Sequence, residues 1–316
     1  MRRSERRTRA SRQNRIADAV DDNWVERYAP YDAQPYLRLS RADRPIGTWL
    51  LWLPCLWGIF LAAGATGWLL LDLWLVIGSG IGAFLMRGAG CTWNDIQDRD
   101  IDRGVARTAN RPLPAGEVTV VWAYIWLVSQ ALTAFLILIT FNNTAIWLGI
   151  ASLLPVAIYP FAKRFTWWPQ AFLGIAFNWG ALLLWAAHTG SLTLAPILLY
   201  LGAIAWTLHY DTIYAHQDRE DDALIGVKST ARLFGDRTAE WLWVFAIVCS
   251  LLISAAIWSA GGGILAFVGV AALFLHMASQ IRRMDIGDPA ICLNLFRETR
   301  FGGMALAICF AMDSLL

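Results

Sequence analysis

Residues 118–161 read VTVVWAYIWLVSQALTAFLILITFNNTAIWLGIASLLPVAIYPF, and this stretch decides the fold. It contains two apolar runs, 118–140 and 144–161, on either side of Asn142 and Asn143, and it carries no charged residue. A helix needs about 20 apolar residues to cross a bilayer, and a helix satisfies its own backbone hydrogen bonds there. The stretch therefore predicts two transmembrane helices joined by a short turn.

The rest of the chain extends this pattern. Of its 316 residues 57% are hydrophobic and 16% are charged, and the mean hydropathy is +0.47. This composition excludes a disordered chain, a disulfide scaffold and a collagen-like chain. Six further apolar runs lie at 46–64, 68–86, 167–187, 193–210, 239–259 and 263–281, and a ninth at 290–314 is interrupted by Arg297, Glu298 and Arg300. We predict an all-α polytopic membrane protein with nine transmembrane helices.

The positions of Lys and Arg predict the orientation in the membrane. Residues 1–44 carry eleven of the 26, and the others lie at 99–111, 163–164, 219–237 and 282–300, except for Arg87. Every alternate connection between helices has none, so the positive-inside rule places the N-terminus and the charged loops in the cytoplasm.

The first fifteen residues contain seven arginines. We interpret residues 1–40 as an Arg-rich cytoplasmic tail next to anionic lipid, with an organelle presequence as the alternative, and residues 41–316 as the membrane domain. The bacterial inner membrane is the expected compartment and the mitochondrial inner membrane is the alternative. The expected surroundings are a lipid bilayer, without a nucleic-acid partner.

Two of the charged loops resemble each other. QDRDID at 97–102 is followed by GVARTA at 104–109, and QDREDD at 217–222 is followed by GVKSTA at 226–231. Four predicted helices separate the copies, so both face the same side of the membrane. The repeat predicts two similar helical halves with an active centre between them.

Within each copy the acidic residues have helical spacing. Asn94, Asp98 and Asp102 follow i, i+4, i+8, and the second copy places Asp211, Tyr214, Asp218 and Asp222 on one stripe. Stacked carboxylates repel unless a cation lies among them, and oxygen ligands suit Mg²⁺. We therefore predict Asn94, Asp98, Asp102, Asp218 and Asp222 as metal ligands; the alternative is that these groups are solvated loop charges.

Basic residues in the same loops predict a polyanionic substrate. These are Arg107, Arg111, Lys163, Arg164 and Lys228. Arg87, inside a membrane helix seven residues before Asn94, either pairs with a motif aspartate or binds a substrate oxygen. Asn178 is expected to make a hydrogen bond between helices. A secondary transporter or a divalent-cation channel stays as an alternative class.

The ordered motifs are similar to those of the UbiA prenyltransferase family. They are N-D-x-x-D-x-x-x-D at 94–102, R-T-A-N-R-P-L-P-x-G at 107–116, D-x-x-Y-A-x-x-D-x-x-x-D at 211–222 and G-x-K-S-T-A at 226–231. The string YPFAKRFT at 159–166, with Pro169-Gln170 and Arg44-Pro45, resembles the branch that prenylates 4-hydroxybenzoate. The similarity begins near Arg41 and reaches the C-terminus.

The resemblance implies a nine-helix bundle around a membrane-open cavity and an activity. The activity is Mg²⁺-dependent transfer of a polyprenyl group from polyprenyl diphosphate to the ring carbon ortho to the hydroxyl of 4-hydroxybenzoate, in ubiquinone biosynthesis. Asp98, Asp102, Asp218, Asp222 and Arg87 would be catalytic. The substrate-binding residues would be Asn94, Asp95, Arg107, Arg111, Lys163, Arg164, Asp211, Tyr214 and Lys228. Family members that prenylate naphthoate, homogentisate, haem or a chlorophyllide are the nearest alternatives.

Overall fold

The computed structural model describes residues 23–103, 108–219, 223 and 226–316, and every regular element in these ranges is helical. The helices are α1 (Trp24–Tyr28), α2 (Gln34–Leu39), α3 (Ile46–Thr66), α4 (Leu71–Asp102), α5 (Val120–Leu138), α6 (Asn143–Ala151), α7 (Leu153–Phe165), α8 (Pro169–Phe177), α9 (Trp179–Thr189), α10 (Leu194–Ala215), α11 (Thr230–Phe234), α12 (Thr238–Ala260), α13 (Ile264–Arg283) and α14 (Pro289–Asp313). Short 3₁₀ turns occupy Tyr31–Ala33, His216–Asp218 and Gly235–Arg237. The prediction of an all-α fold is confirmed.

Each of the nine predicted segments coincides with one of these helices or with a consecutive pair. In the described part of the chain, seven segments are long and apolar enough to cross a membrane. The two that fall outside this group are α10 and α14, so a count of nine crossings stays a prediction.

The ninth segment forms one continuous helix in spite of its charges. α14 has 25 residues, which at about 1.5 Å per residue is longer than the ~30 Å hydrocarbon core. At its C-terminal end, Asp313 Oδ2 accepts a hydrogen bond from the backbone N–H of Gly263 at 2.7 Å, and Gly263 is the N-cap of α13. α14 therefore runs antiparallel to α13. Its last turn lies beside the connection at 261–263, which contains no Lys or Arg.

The surface of α5 has the character of a lipid-facing helix. Its buried residues are Ala123, Gln130 and Ala134, which share one face. Apolar side chains such as Trp122 and Leu136 are 55% and 62% exposed. A soluble protein would bury such a helix, whereas a bilayer solvates it directly.

The helices form two compact units. Unit 1 comprises Ile81–Ile137 and the described residues before Trp49, and unit 2 comprises Trp49–Gly80 and Leu138–Leu316. In unit 1, Leu39 of α2 is fully buried in a cluster with Ile96, Leu113 and Val118. The predicted tail of residues 1–40 therefore includes a folded part from residue 23 onward, because α2 contributes to this core. The arginines of the first fifteen residues lie outside the described residues.

Close backbone contacts and buried polar pairs hold unit 2 together. A Cβ on Gly58 would lie 2.4 Å from the carbonyl oxygen of Ala181, so only glycine permits this approach of α3 to α9. Asn178, at the break between α8 and α9, donates from Nδ2 to Thr207 Oγ1 of α10 at 2.7 Å. The predicted interhelical hydrogen bond of Asn178 is confirmed.

A second set of buried polar contacts lies at the end of unit 2 whose connections carry no Lys or Arg. His188 Nδ1 is 2.7 Å from Asp72 Oδ1, and His188 Nε2 is 2.8 Å from Thr66 Oγ1. Asp72 is fully buried and also accepts from the backbone N–H of Leu69 at 2.7 Å. These contacts join the end of α3, the start of α4 and the end of α9.

Candidate active site

The first aspartate motif occupies the last turns of α4, in unit 1. Asn94 Nδ2 donates to Asp98 Oδ2 at 3.2 Å. Asp98 is 1% exposed and Asp102 is 6% exposed. α4 continues as an α-helix to Asp102, so the three side chains lie one above another on one face, as predicted from their spacing.

Arg111 binds this motif from the following loop. Its Nη1 donates to Asp102 Oδ2 at 2.8 Å and lies 3.3 Å from Asp95 Oδ1. Thr108 Oγ1 donates to the backbone oxygen of Asp102 at 2.9 Å, which ties the loop to the end of the helix. A guanidinium group of the R-P-L-P-x-G string thus lies among these acidic side chains, and the metal assignment stays a prediction.

Asp95 differs from the other carboxylates of the motif. It is fully buried, and its Oδ1 accepts from Arg41 Nη2 at 2.5 Å as well as from Arg111. Its Oδ2 has no hydrogen-bond partner within the residues that the structure describes. The expected role of Asp95 in substrate binding stays a prediction; its observed contacts are with two guanidinium groups.

Burial and charge act in opposite directions on these groups. Burial raises the pKa of Asp102, the charge of Arg111 lowers it, and Asp95 and Asp98 raise it, with a net rise. Burial lowers the pKa of Arg41, but Asp95, together with Cys91 and Asp43, more than offsets this and the pKa is raised overall. Arg41 therefore stays cationic, and among the residues that the structure describes the cluster holds three carboxylates and two guanidinium groups.

Arg87 lies two turns before this motif and is half-buried. Its guanidinium packs on the first turn of α3, where a Cβ on Gly47 would lie 2.2 Å from Nε. Both predicted roles for Arg87 remain predictions.

The second motif begins at the end of α10, in unit 2. Asp211 and Tyr214 lie in the helix, and the Tyr214 ring packs on Phe296 with centroids 4.4 Å apart. α10 ends at Ala215, and Asp218 lies in the 3₁₀ turn that follows. The predicted stripe thus does not continue as a regular α-helix, because the backbone changes there from 3.6 residues per turn to the ~3 residues per turn of a 3₁₀ helix. Asp222 lies outside the described residues.

His216, inside this motif, contacts the first residue of α12 through one ring nitrogen. Its Nε2 is 3.0 Å from Thr238 Oγ1. Burial, with a smaller contribution from Arg219, lowers the pKa of His216 to about 4, so the ring is neutral near pH 7.

Hydrogen bonds join the G-x-K-S-T-A string to α8 and α10. The hydroxyl groups of Thr230 and Thr212 are 2.7 Å apart, and the Thr230 N–H donates to Gln170 Oε1 at 3.1 Å. The N–H of Lys228 donates to the carbonyl oxygen of Lys163 at 3.2 Å. Gln170 and Thr230 were not predicted as functional residues, although Pro169-Gln170 was part of the family resemblance.

The structure brings several predicted cations together in unit 2. Lys228 Nζ lies 3.4 Å from the carbonyl oxygen of Phe165 and 5.9 Å from the Trp167 ring centroid. Lys163 is half-buried, and Arg164 is exposed with its guanidinium over Phe161. Arg107 lies outside the described residues.

The donor set of both motifs consists of oxygen atoms, which suits a hard divalent cation. Across the described ranges, no group of three or more His, Cys, Asp or Glu side chains is arranged to hold a metal ion. Mg²⁺ needs only one or two protein carboxylates when substrate phosphates and waters complete its shell. The residues present therefore fit Mg²⁺ that shares its coordination with a phosphate ligand.

Comparison with known proteins gives the same assignment as the motifs. The sequence model of the UbiA prenyltransferase family matches residues 51–307. The mitochondrial 4-hydroxybenzoate polyprenyltransferase of Mus musculus is 47% identical over 291 residues, which cover 91% of this chain and 76% of the relative.

Solved structures show the same fold. The apo structure of a UbiA homolog from Aeropyrum pernix has a TM-score of 0.69 and 24% identity, covering 82% of this chain and 96% of the homolog. A UbiA homolog from Archaeoglobus fulgidus, bound to GPP and Mg²⁺, has a TM-score of 0.63 and 19% identity, covering 88% of this chain and 99% of the homolog. With the matched motifs and the shared fold, the chain belongs to the UbiA prenyltransferase family.

Proposed function

We propose that the protein transfers a polyprenyl group from polyprenyl diphosphate to the ring carbon ortho to the hydroxyl of 4-hydroxybenzoate, with Mg²⁺, in ubiquinone biosynthesis. One observation carries the proposal: three buried carboxylates of the first motif share their surroundings with Arg111 and Arg41. Such a site suits a metal together with a polyanion, and the mouse relative bears the name of this activity.

The oxygen ligands of Mg²⁺ would be Asn94, Asp98 and Asp102 in the first motif and Asp218 and Asp222 in the second. When bound, Mg²⁺ supplies neutralisation of the charge that develops on the departing diphosphate. The Archaeoglobus fulgidus homolog binds Mg²⁺ together with GPP, which supports this role.

Basic residues would hold the diphosphate. Arg111 carries a planar guanidinium beside Asp102 and can turn its donors to a phosphate oxygen. Arg107, Lys163, Arg164 and Lys228 would add positive charge, with Asp211 and Tyr214 as supporting positions. Arg87 is the candidate for an oxygen of the substrate, since it lies on the same helix as Asn94.

The reaction follows from these charges. The allylic C–O bond breaks, the electron pair leaves with the diphosphate, and the ring carbon ortho to the hydroxyl attacks the allylic carbon. The ring then loses the proton from that carbon and becomes aromatic again. Apolar walls exclude the water that would convert the allylic cation into an alcohol, and the π face of Tyr214 can stabilise the cation.

We place all the charged loops of this multi-pass protein on the same side of the membrane. The mouse relative is mitochondrial by name, which favours the mitochondrial inner membrane and gives no support to the bacterial inner membrane. Membership of a prenyltransferase family also gives no support to the transporter or channel alternative.

The test is a membrane assay with labelled 4-hydroxybenzoate and a polyprenyl diphosphate, with Mg²⁺ and with EDTA. We expect label in a lipid-soluble product only with Mg²⁺. No product from a folded preparation would refute the acceptor assignment, and parallel reactions with naphthoate and homogentisate would identify a different one.

A further inference from the structure

The turn that ends α2 has an arginine where glycine is usual. Arg41 has φ of 58°, in the left-handed region. The N–H of Arg41 donates to Arg38 O at 3.1 Å, and the N–H of Ala42 donates to Leu37 O at 3.0 Å. These two bonds define a Schellman motif, and its left-handed position favours glycine because a Cβ is strained there.

A strained residue of this kind points to a need for its side chain. Arg41 is 8% exposed, and its Nη2 lies 2.5 Å from Asp95 Oδ1. Arg41 is therefore held in an unfavourable backbone conformation while its guanidinium makes a buried ion pair. Glycine would relieve the strain but could not make that pair.

The ion pair reaches the aspartate motif through Arg111. Arg111 Nη1 lies 3.3 Å from the same Oδ1 of Asp95, and it also donates to Asp102 Oδ2 at 2.8 Å. Arg111 is thus shared between two carboxylates. Without Arg41, Asp95 would be a fully buried anion whose remaining guanidinium contact is Arg111, and it would draw Arg111 away from Asp102.

We propose that Arg41 is a positioning residue: its guanidinium neutralises Asp95, so that Arg111 and Asp102 remain available to the diphosphate and Mg²⁺. The inference rests on the proposed function for the identity of these ligands. The observed contacts of the Arg41 guanidinium are with Asp95 and with the carbonyl oxygen of Arg38, so it would act through Asp95.

The test compares four variants in the prenyl-transfer assay. Arg41→Gly keeps the turn and removes the guanidinium, and Arg41→Lys keeps the charge without the planar donors. Asp95→Asn removes the carboxylate charge, and the double variant Arg41→Gly with Asp95→Asn removes both partners. We expect Arg41→Gly to raise the KM for diphosphate and the Mg²⁺ concentration for half-maximal rate by roughly tenfold.

The double variant separates the loss of the ion pair from an effect of the altered turn, and the KM and Mg²⁺ dependence report on positioning. Because it leaves no uncompensated buried charge, it should recover most of the loss seen in Arg41→Gly. Arg41→Lys should lie between wild type and Arg41→Gly. A loss caused by the altered turn itself would instead persist in the double variant, because Asp95→Asn does not change the turn.

A second measurement does not depend on turnover. The melting temperature of the purified wild-type protein should rise when inorganic pyrophosphate and Mg²⁺ are added, by mass action. Arg41→Gly should lose this rise, and the double variant should regain it. The matched control is Arg38→Gln, which breaks the 2.5 Å ion pair of Arg38 with Glu117 near the same turn and should leave the KM and the pyrophosphate effect unchanged.

Two results would overturn the proposal: wild-type KM and Mg²⁺ dependence in Arg41→Gly, or a double variant no better than Arg41→Gly. If wild type makes no prenylated product but shows a pyrophosphate effect that Arg41→Gly loses, the proposed function fails and the positioning role stands. If the wild-type protein shows neither prenylated product nor a rise in melting temperature with pyrophosphate, the proposed function and the positioning role are both refuted.

Discussion

Arg111 offers the sharpest test of the first motif, because one nitrogen serves two buried carboxylates. We consider Arg111→Gln, which has similar length and polarity but no charge. The substitution removes the 2.8 Å bond to Asp102 and the 3.3 Å contact with Asp95. The second contact is too long for a full hydrogen bond, so we take the energy of one charge-assisted hydrogen bond as the expected loss.

A hydrogen bond to a charged group contributes about 1.5–3 kcal/mol. If Arg111 uses the same donors on the diphosphate, kcat/KM should fall by roughly 10- to 150-fold, since about 1.4 kcal/mol corresponds to a factor of ten. The melting temperature should also fall, because Asp102 loses its partner at a position that is 6% exposed.

The measurement is kcat/KM for the polyprenyl diphosphate, with labelled 4-hydroxybenzoate and Mg²⁺ at saturating concentrations and with folding checked by gel filtration. The matched control is Arg103→Gln, which removes an exposed 3.7 Å contact with Asp100; such surface pairs contribute little, so its kinetics should equal those of wild type. An Arg111→Gln enzyme within about twofold of wild type would refute the reasoning, because the lost bond would then contribute nothing to the reaction.

Three further predictions follow from other parts of the molecule. Asp98→Ala and Asp218→Ala should each abolish prenyl transfer in folded protein, and near-normal turnover of either in the membrane assay would contradict its metal assignment. His188→Ala should lower the melting temperature by leaving Asp72 buried without this partner, a cost of about 3–5 kcal/mol, while transfer at low temperature persists; an unchanged melting curve would count against these buried contacts. Asn178→Leu should lower the melting temperature by loss of the hydrogen bonds from its Nδ2 to Thr207 Oγ1 and to the carbonyl oxygen of Gly174, each contributing about 0.5–1.5 kcal/mol; thermal unfolding in detergent checks this, and an unchanged melting temperature would contradict it.

Helical periodicity made part of the site predictable. Asn94, Asp98 and Asp102 share a face because α4 continues through them, and this follows from spacing alone. The second motif has the same spacing but not the same backbone, because α10 ends at Ala215 before Asp218 is reached. Spacing predicts a face only where the helix persists.

The role of α14 was not predictable from hydropathy. Its three central charges make the segment ambiguous, since a window of hydropathy does not distinguish a span from a helix that stays at the interface. The bond from Gly263 N–H to Asp313 shows that the helix extends to the far end of α13. A contact between residues 50 positions apart carries that information.

The sequence by itself determined the membrane class and the family, because these depend on composition, on the order of apolar runs and on local motifs. The tertiary structure alone decided the electrostatics of the first motif. Arg41 and Asp95 are 54 positions apart, and no periodicity connects them. Their ion pair, and the left-handed backbone at Arg41 that accompanies it, exist only because folding places α2 beside the end of α4.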